Sequence, residues 1–367
     1  MKSIYLNQAG TTWPKPACVS AACTQALEQD VDTWDTSFQK QQSDVCDFLG
    51  IQDPNSLLLT PGCTSSLNVA VADHDWREGD VVITSALEHH ALHRPLVKLT
   101  QLGVDLQVVP PDLDEPINLQ RVEDLLRGGK VKMIAVTAAS NVTGDLLPID
   151  ELAQLAHDHG ASILIDGAQY VGWFDLNLSA SPFDLFAFGG HKGLHGPWRI
   201  GGLYIDPELP MNAPQATCSI EAGPASCTSQ PNYCDVGSAD RIAMAGLSAS
   251  LDWLRESDSA SRLELARCRA GRLREVLAEV PGITFYGSSD PEKRLPIVAF
   301  TIRERSTTEL GRILKEQGLV TSPGLQCAPM AHDILGSAPE GVVRLSVGPM
   351  NSDDDIEQSC ECLAKLR

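Results

Sequence analysis

The sequence is short of basic residues: 28 lysines and arginines stand against 48 aspartates and glutamates, giving a formal net charge of −20. A surface of that sign repels the phosphate backbone of nucleic acids, so we expect no nucleic-acid partner. No apolar run is long enough to span a bilayer, and the opening residues, "MKSIYLNQAGTT", contain no stretch typical of a secretory signal. We therefore expect a cytoplasmic protein that does not contact membranes.

Paired cysteines are also lacking, although the chain contains 11 cysteines. Their number is odd and no CxxC motif occurs, which is typical of reduced thiols and not of a disulfide framework. Two nucleotide-binding motifs are missing as well: GxxxxGK[ST], and GxGxxG placed after a strand. These absences argue against a P-loop nucleotide site and against a dinucleotide site.

What the chain does have is a regular alternation of apolar runs and helical patterns. Runs such as "VVITS", "KMIAVT" and "SILID" are typical of buried strands, and "IDELAQLAHDHG" is typical of an amphipathic helix. This alternation predicts βαβ units in an α/β fold with a mainly parallel sheet. We predict a large domain over residues 14–250 and a small α+β domain made of residues 1–13 and 251–367. The stretch 207–234, rich in Pro, Ser, Ala and Thr, is predicted to be a long excursion or lid.

Polar residues follow one predicted strand after another. Because the carboxyl ends of parallel strands meet at one edge of the sheet, we expect these side chains to line a common crevice. Its candidate residues are Thr64, Glu88, His89, Asn141, Asp166, Gln169, His191 and Lys192.

The segment "TPGCTSSLN" lies between a strand and a helix and contains Gly62, Cys63 and Thr64. A tight turn at Gly62 would leave backbone amides at the start of the helix, which suits a phosphate group. A simple Thr or Ser helix cap would explain the same residues.

The segment "EHHALH" places His89 and His93 four residues apart, as metal ligands on one helix face would be. The order of residues differs from HExxH and no third ligand is evident, so we expect no metal. A role for His89 lying flat against an aromatic ligand fits better.

Asp166 and Lys192 suggest a particular cofactor. Asp166 ends a very apolar strand, where a carboxylate needs a partner, and a protonated ring nitrogen would supply one. Lys192 lies in "FGGHKGLHGP", whose glycines leave room for a carbonyl compound to approach and whose histidines, His191 and His195, would contact it. A lysine and an aspartate used in this way are characteristic of pyridoxal 5′-phosphate (PLP) sites. Taken singly, Asp166 could be a helix cap and Lys192 a solvated loop residue.

Several motifs in the expected order strengthen this interpretation: "SNVTG", "IDGAQ", "GGHKGLHGP", "IGGLYI", "GLQCAPMAH" and "GVVRLSVGPMN". With them the chain resembles the class V aminotransferase group of fold-type I PLP enzymes, most of all its cysteine desulfurase/selenocysteine lyase branch. The resemblance implies a large domain with a seven-stranded sheet flanked by helices, PLP as cofactor and a homodimer.

The resemblance also implies roles for single residues. Lys192 would bind PLP covalently and move protons, Asp166 would pair with the ring nitrogen, and His89 would stack on the ring. Asn141 and Gln169 would contact the ring oxygen, and Arg344 would grip the substrate carboxylate. The phosphate would be held by Gly62, Cys63, Thr64, His191 and, from a neighbouring subunit, Ser238.

Cys327 decides the reaction that the resemblance implies. In the related enzymes a cysteine in this loop takes sulfur from the substrate as a persulfide, so the expected reaction converts L-cysteine to L-alanine. The loop is short, which implies a sulfur-acceptor protein. Alternatives are C–S β-elimination, transamination, and a non-catalytic sulfur relay. Three departures bear on substrate identity: Gly189 replaces a frequent serine, Leu325 and Gln326 replace a frequent histidine, and "DVGSAD" differs from the usual pattern.

Overall fold

The computed structural model describes residues 3–112, 115–209 and 240–367. Its largest element is a seven-stranded sheet in the order β2-β8-β7-β6-β5-β3-β4. These strands are β2 (Leu57–Thr60), β3 (Val81–Ser85), β4 (Asp105–Val109), β5 (Val131–Thr137), β6 (Ser162–Asp166), β7 (Leu185–Gly189) and β8 (Gly201–Ile205). Only β8 runs antiparallel to its neighbours, so the predicted mainly parallel, seven-stranded sheet is confirmed.

Helices cover both faces of this sheet. They are α1 (Ala17–Leu27), α2 (Trp34–Leu49), α3 (Cys63–Ala72), α4 (His90–Leu99), α5 (Leu119–Leu126), α6 (Ile149–Asp158) and α7 (Arg241–Arg255). Each face of the sheet has its own apolar cluster, and successive residues of a strand point to opposite faces. Ile83 belongs to one cluster and its neighbour Val82 to the other. Strands buried on both faces explain why the sequence shows continuous apolar runs here instead of alternation.

A second, four-stranded antiparallel sheet has the order β12-β13-β10-β9. Its strands are β9 (Ile283–Tyr286), β10 (Ile297–Ile302), β12 (Ser322–Gly324) and β13 (Val342–Ser346), and the helices around it are α8 (Ser259–Ala278), α9 (Thr307–Glu316), α10 (Pro329–Leu335) and α11 (Asp353–Ala364). A separate apolar cluster, which includes Phe300 and Leu273, forms its core.

The N-terminal segment joins the two parts. Strand β1 (Ile4–Tyr5) pairs in parallel with β11 (Leu319–Val320), whereas Thr12 donates a backbone hydrogen bond to the carbonyl oxygen of His191 at 3.1 Å. Residues before 14 therefore contact both β11 of the smaller part, with which β1 forms a two-stranded sheet, and the turn that follows β7 of the large sheet. The division into domains near residue 250 stays a prediction, and the predicted excursion lies outside the described residues from 210 onward. None of the helices in the described ranges has the length and apolar character needed to cross a membrane.

Candidate active site

A cavity of about 220 Å³ lies at the carboxyl edge of the large sheet. It is lined by seven of the eight residues predicted for the crevice and by two residues of the predicted phosphate turn; the seven are Thr64, His89, Asn141, Asp166, Gln169, His191 and Lys192, and the two are Gly62 and Cys63. Glu88 is not among the lining residues. These residues come from five different strand ends or the turns that follow them. The expectation that a parallel sheet brings them to one edge is therefore correct.

Lys192 and Asp166 both line this cavity. Burial lowers the pKa of the Lys192 ammonium, while the nearby Asp166 carboxylate opposes that shift. Asp166 is 3% exposed, and its Oδ1 accepts hydrogen bonds from the amide of Ala168 at 2.9 Å and from Cys63 Sγ at 3.3 Å. Both donors act on Oδ1, so Oδ2 is the oxygen suited to a protonated ring nitrogen.

The glycines around Lys192 serve backbone packing. A Cβ added at Gly193 would lie 2.1 Å from the carbonyl oxygen of Val171, and one added at Gly172 would lie 2.2 Å from that of Gly193. The backbone just after Lys192 therefore packs closely against the turn that follows β6. His195 does not contact the cavity as expected: it is 1% exposed, and its ring lies 4.9 Å from that of Trp253.

His89 and His191 are both neutral at physiological pH, because burial and, to a smaller extent, the nearby Lys192 ammonium lower the pKa of each to about 4. His89 Nδ1 accepts the Ala91 amide at 3.0 Å and so caps α4. His191 Nδ1 lies 3.1 Å from Thr11 Oγ1. A neutral, positionally fixed imidazole at residue 89 is suited to stacking on an electron-poor aromatic ring.

The start of α3 faces the cavity without a side-chain cap. Gly62 precedes the helix with a φ of 131°, a conformation that L side chains rarely adopt, and no atom lies within 4 Å of the position of an added Cβ. The backbone amides at the start of the helix, including Cys63 and Thr64, are therefore available to an anion. Gly189 contributes no side chain here: a Cβ at that position would lie 3.6 Å from Cys63 Cβ.

Asn141 and Gln169 each use one amide N–H within the protein. Asn141 Nδ2 donates to the carbonyl oxygen of Gln326 at 2.8 Å, and Gln169 Nε2 donates to that of Ala9 at 2.9 Å. Each amide retains a second N–H for another acceptor. Asn141 Oδ1 is buried without a partner among the described residues, which marks this position as one that a ligand completes.

Arg344, on β13, brings a buried cation to the same site. It is 3% exposed and donates to the backbone carbonyl of Asn141 at 2.5 Å and to Asn7 Oδ1 at 2.8 Å. Burial lowers its pKa to about 10, which leaves the guanidinium charged at neutral pH. Its Nε has no partner in the described ranges and remains available to a carboxylate.

Cys327 lies in a strained turn that is fastened to the large sheet. Gln326 and Cys327 have φ angles of 43° and 59°, a left-handed conformation that is uncommon outside glycine. The Cys327 carbonyl accepts the His90 amide at 2.8 Å, and the Gln326 carbonyl accepts Asn141. Cys327 is exposed, and the hydrogen bond between Asn141 and Gln326, which lie 185 residues apart in sequence, holds its thiol accessible beside the cavity. Such strain persists where the surroundings fix it and often marks a functional position.

Ser238 lies outside the described residues, so its predicted contact with a neighbouring subunit stays a prediction. The His89–His93 pair gains no further ligand: no group of three His, Cys, Asp or Glu side chains in the described ranges could hold a metal ion.

Three residues that shape the site, Lys15, Asn7 and Arg199, were not among the predicted site residues. Lys15 Nζ donates to Thr12 Oγ1 and to the His191 carbonyl, both at 2.8 Å, and so fixes the segment before Lys192. Asn7 orients Arg344, and Arg199 lines the cavity. Nothing in the polar segment "NQAGTT" indicates these partners.

Glu88, the residue before the cavity residue His89, is a buried acid. Its buried carboxyl group accepts Ser85 Oγ at 2.5 Å and the Thr137 amide at 2.9 Å, yet burial raises its pKa to about 8. A folded-state pKa above the unfolded value means that the stabilisation is complete below about pH 4.5 and is lost as pH rises towards 8.

We therefore expect the free energy of unfolding to fall by up to ~1.4 kcal/mol per pH unit between pH 5 and 8 through Glu88 alone. Glu88→Gln should flatten this decline, because the amide cannot ionise. Denaturant unfolding at pH 5.5 and 7.5 measures it, with Glu361→Gln on the exposed face of α11 as control. Equal pH slopes for wild type and Glu88→Gln would contradict the assignment.

The residues present fit PLP. A buried carboxylate oxygen, a lysine of lowered pKa, an uncapped helix start and the unpartnered Asn141 Oδ1 all face one cavity. On a mainly parallel seven-stranded sheet, this arrangement defines the class of fold-type I PLP enzymes.

Comparison with known proteins agrees over almost the whole chain. The aminotransferase class-V family model matches residues 4–358. A probable cysteine desulfurase of Chlamydia muridarum (strain MoPn / Nigg) is 31% identical over 388 aligned residues, covering 99% of this chain and 94% of the relative. A cysteine desulfurase of Escherichia coli O139:H28 (strain E24377A / ETEC) is 30% identical over 331 residues, covering 87% and 80%.

Solved structures extend the agreement to the fold. The apo structure of a cysteine desulfurase from Thermococcus onnurineus NA1 matches with a TM-score of 0.90 at 24% identity, covering 99% of this chain and 94% of that one. The chain belongs to the aminotransferase class-V family.

Proposed function

We propose that this protein is a PLP-dependent cysteine desulfurase, which converts L-cysteine to L-alanine and takes the sulfur on Cys327 as a persulfide. One observation carries the proposal beyond a general PLP enzyme: an exposed thiol is held in a left-handed turn fastened to Asn141 and His90 at the side of the cavity. A cysteine with only a packing role would be buried and would need no such turn.

The cofactor would be held by residues of the cavity. Lys192 would bind it covalently, Asp166 would pair with its ring nitrogen, and His89 would stack on the ring. The start of α3, with Thr64 and His191, would hold its phosphate. When bound, PLP withdraws electrons from the α-carbon of an amino acid and so eases loss of the α-proton.

Lys192 suits the movement of protons, because burial lowers its pKa and so favours the neutral amine. The Lys192 amine would accept the α-proton of the substrate and later return a proton to carbon. Asp166 would keep the ring nitrogen protonated throughout.

Arg344 would bind the substrate carboxylate. Two of its nitrogens are fixed by Asn141 and Asn7, which orients the guanidinium before substrate arrives. The Cys327 thiolate would then attack the substrate sulfur. The new S–S bond forms as the substrate Cβ–S bond breaks, with that electron pair going to carbon, which is protonated as alanine forms.

The proposal includes partners. The substrate is a small amino acid with a sulfur atom on Cβ, and an acceptor must remove the persulfide before the next turnover. An exposed Cys327 suits transfer to an acceptor protein. We further propose a cytoplasmic homodimer in which Ser238 reaches the neighbouring phosphate site.

A product assay tests the function. Purified wild-type protein is given L-cysteine and a thiol reductant, and alanine, sulfide, pyruvate and ammonia are quantified. We expect alanine and sulfide in equal amounts. Pyruvate with ammonia would instead identify a C–S β-elimination enzyme, and turnover only with an added 2-oxo acid would identify an aminotransferase.

A further inference from the structure

The cavity carries one more charged side chain, Arg199, which has no role in the function proposed above. Arg199 lies between β7 and β8 and lines the cavity. Two residues later, Gly201 packs directly on the turn before α3, since a Cβ added there would lie 2.8 Å from Gly62 Cα. This packing holds the Arg199 segment beside the uncapped start of α3.

The backbone of Arg199 is strained. Its φ is 63°, in the left-handed region that a long side chain rarely adopts. A glycine at position 199 would remove the strain, because glycine adopts this conformation freely. The chain uses glycine nearby, at Gly201 and Gly202, but has arginine at this position. Strained residues of this kind cluster where a side chain meets a ligand. Arg199 is exposed and makes no ion pair with the other described residues, so no ion pair explains the direction of its side chain.

The charges of the cavity show what Arg199 could bind. Among the described residues that line it, Lys192 and Arg199 are the only lysine or arginine side chains, and burial lowers the pKa of both His89 and His191 to about 4, so neither histidine adds a positive charge at neutral pH. Lys192 is committed to covalent attachment in the proposed function. The start of α3 supplies roughly half a positive charge, which leaves most of the charge of a phosphate group uncompensated.

We propose that Arg199 binds the phosphate group of PLP together with the start of α3. This inference rests on the proposed function, because it takes the cofactor as PLP. A guanidinium offers two parallel N–H groups to a phosphate, which makes arginine more suitable than lysine for this contact. The strained backbone would be retained because it directs the side chain towards the phosphate.

Cofactor affinity, measured without turnover, tests this proposal. Apoenzyme is titrated with PLP and, separately, with pyridoxal, which has the same reactive ring but no phosphate. For Arg199→Gln we expect PLP binding to weaken by about 10- to 100-fold, as for the loss of a charged hydrogen bond, while pyridoxal binding is unchanged. Arg199→Lys should restore part of the loss.

A second variant separates the contact from the strain. Arg199→Gly should weaken PLP binding as much as Arg199→Gln does, yet raise the Tm of the apoenzyme, because glycine adopts this φ freely. Arg312→Gln, on the exposed surface of α9, should change neither affinity.

Two results would overturn the assignment of Arg199: unchanged PLP affinity in Arg199→Gln, or equal losses for PLP and pyridoxal. Failure of the wild-type apoenzyme to bind PLP would overturn the proposed function itself, so the two failures are distinguishable.

Discussion

Lys192→Ala is expected to lower turnover of L-cysteine by at least about 10³-fold, since it removes both the covalent attachment of the cofactor and the amine that moves protons. The variant should still fold, because the tight backbone packing of this turn involves Gly193 and Gly172 and not the lysine side chain. Reduction with borohydride should fix the cofactor to the wild-type chain at residue 192 and leave the variant unlabelled.

Two matched variants distinguish chemistry from charge. Lys192→Arg keeps a cation near Asp166 but cannot form the covalent bond, so it should be as inactive as Lys192→Ala. Lys15→Ala removes another half-buried lysine, whose pKa burial lowers to about 8, and it should leave the borohydride label at residue 192. Label that persists in Lys192→Ala would reject Lys192 as the attachment site.

The sequence was sufficient to predict the large sheet and the polar edge of the cavity. Each βα unit is formed by residues that are close in sequence, so an apolar run shows directly where its strand ends, as at Asp166 and shortly before Lys192. Parallel pairing of the strands then brings those ends together. The segment containing Gly62 and Cys63 was likewise predicted as the turn before a helix, and it forms a helix start that faces the cavity.

Contacts between distant segments could not be predicted in this way. Nothing in the sequence indicates that the Gln326 carbonyl receives the Asn141 amide or that Asn7 orients Arg344, since these depend on how the second sheet docks. The predicted contact of His195 with the cofactor was wrong, because nothing in the sequence around His195 indicates that it packs against Trp253. The left-handed backbone of Arg199 is likewise set by neighbours.

Cys327→Ala is expected to abolish formation of alanine and sulfide from L-cysteine, with a loss of at least about 10³-fold, while the cofactor stays bound. Alanine cannot accept sulfur, whereas Lys192, Asp166 and Arg344 are unchanged. The absorption spectrum of the bound cofactor should therefore still shift when L-cysteine is added, since substrate binding and proton movement precede the sulfur transfer. Stopped-flow absorbance together with the product assay measures both effects.

Persulfide mapping makes the test specific to the residue. After wild-type protein meets L-cysteine without reductant, mass spectrometry should find the extra sulfur on Cys327 and not on Cys268, another exposed thiol. Cys268→Ala should retain full turnover. Continued production of alanine and sulfide by Cys327→Ala would refute sulfur transfer to this residue. Persistent pyruvate and ammonia would show that the anchored turn serves a lyase, in which the substrate sulfur leaves without passing through the protein.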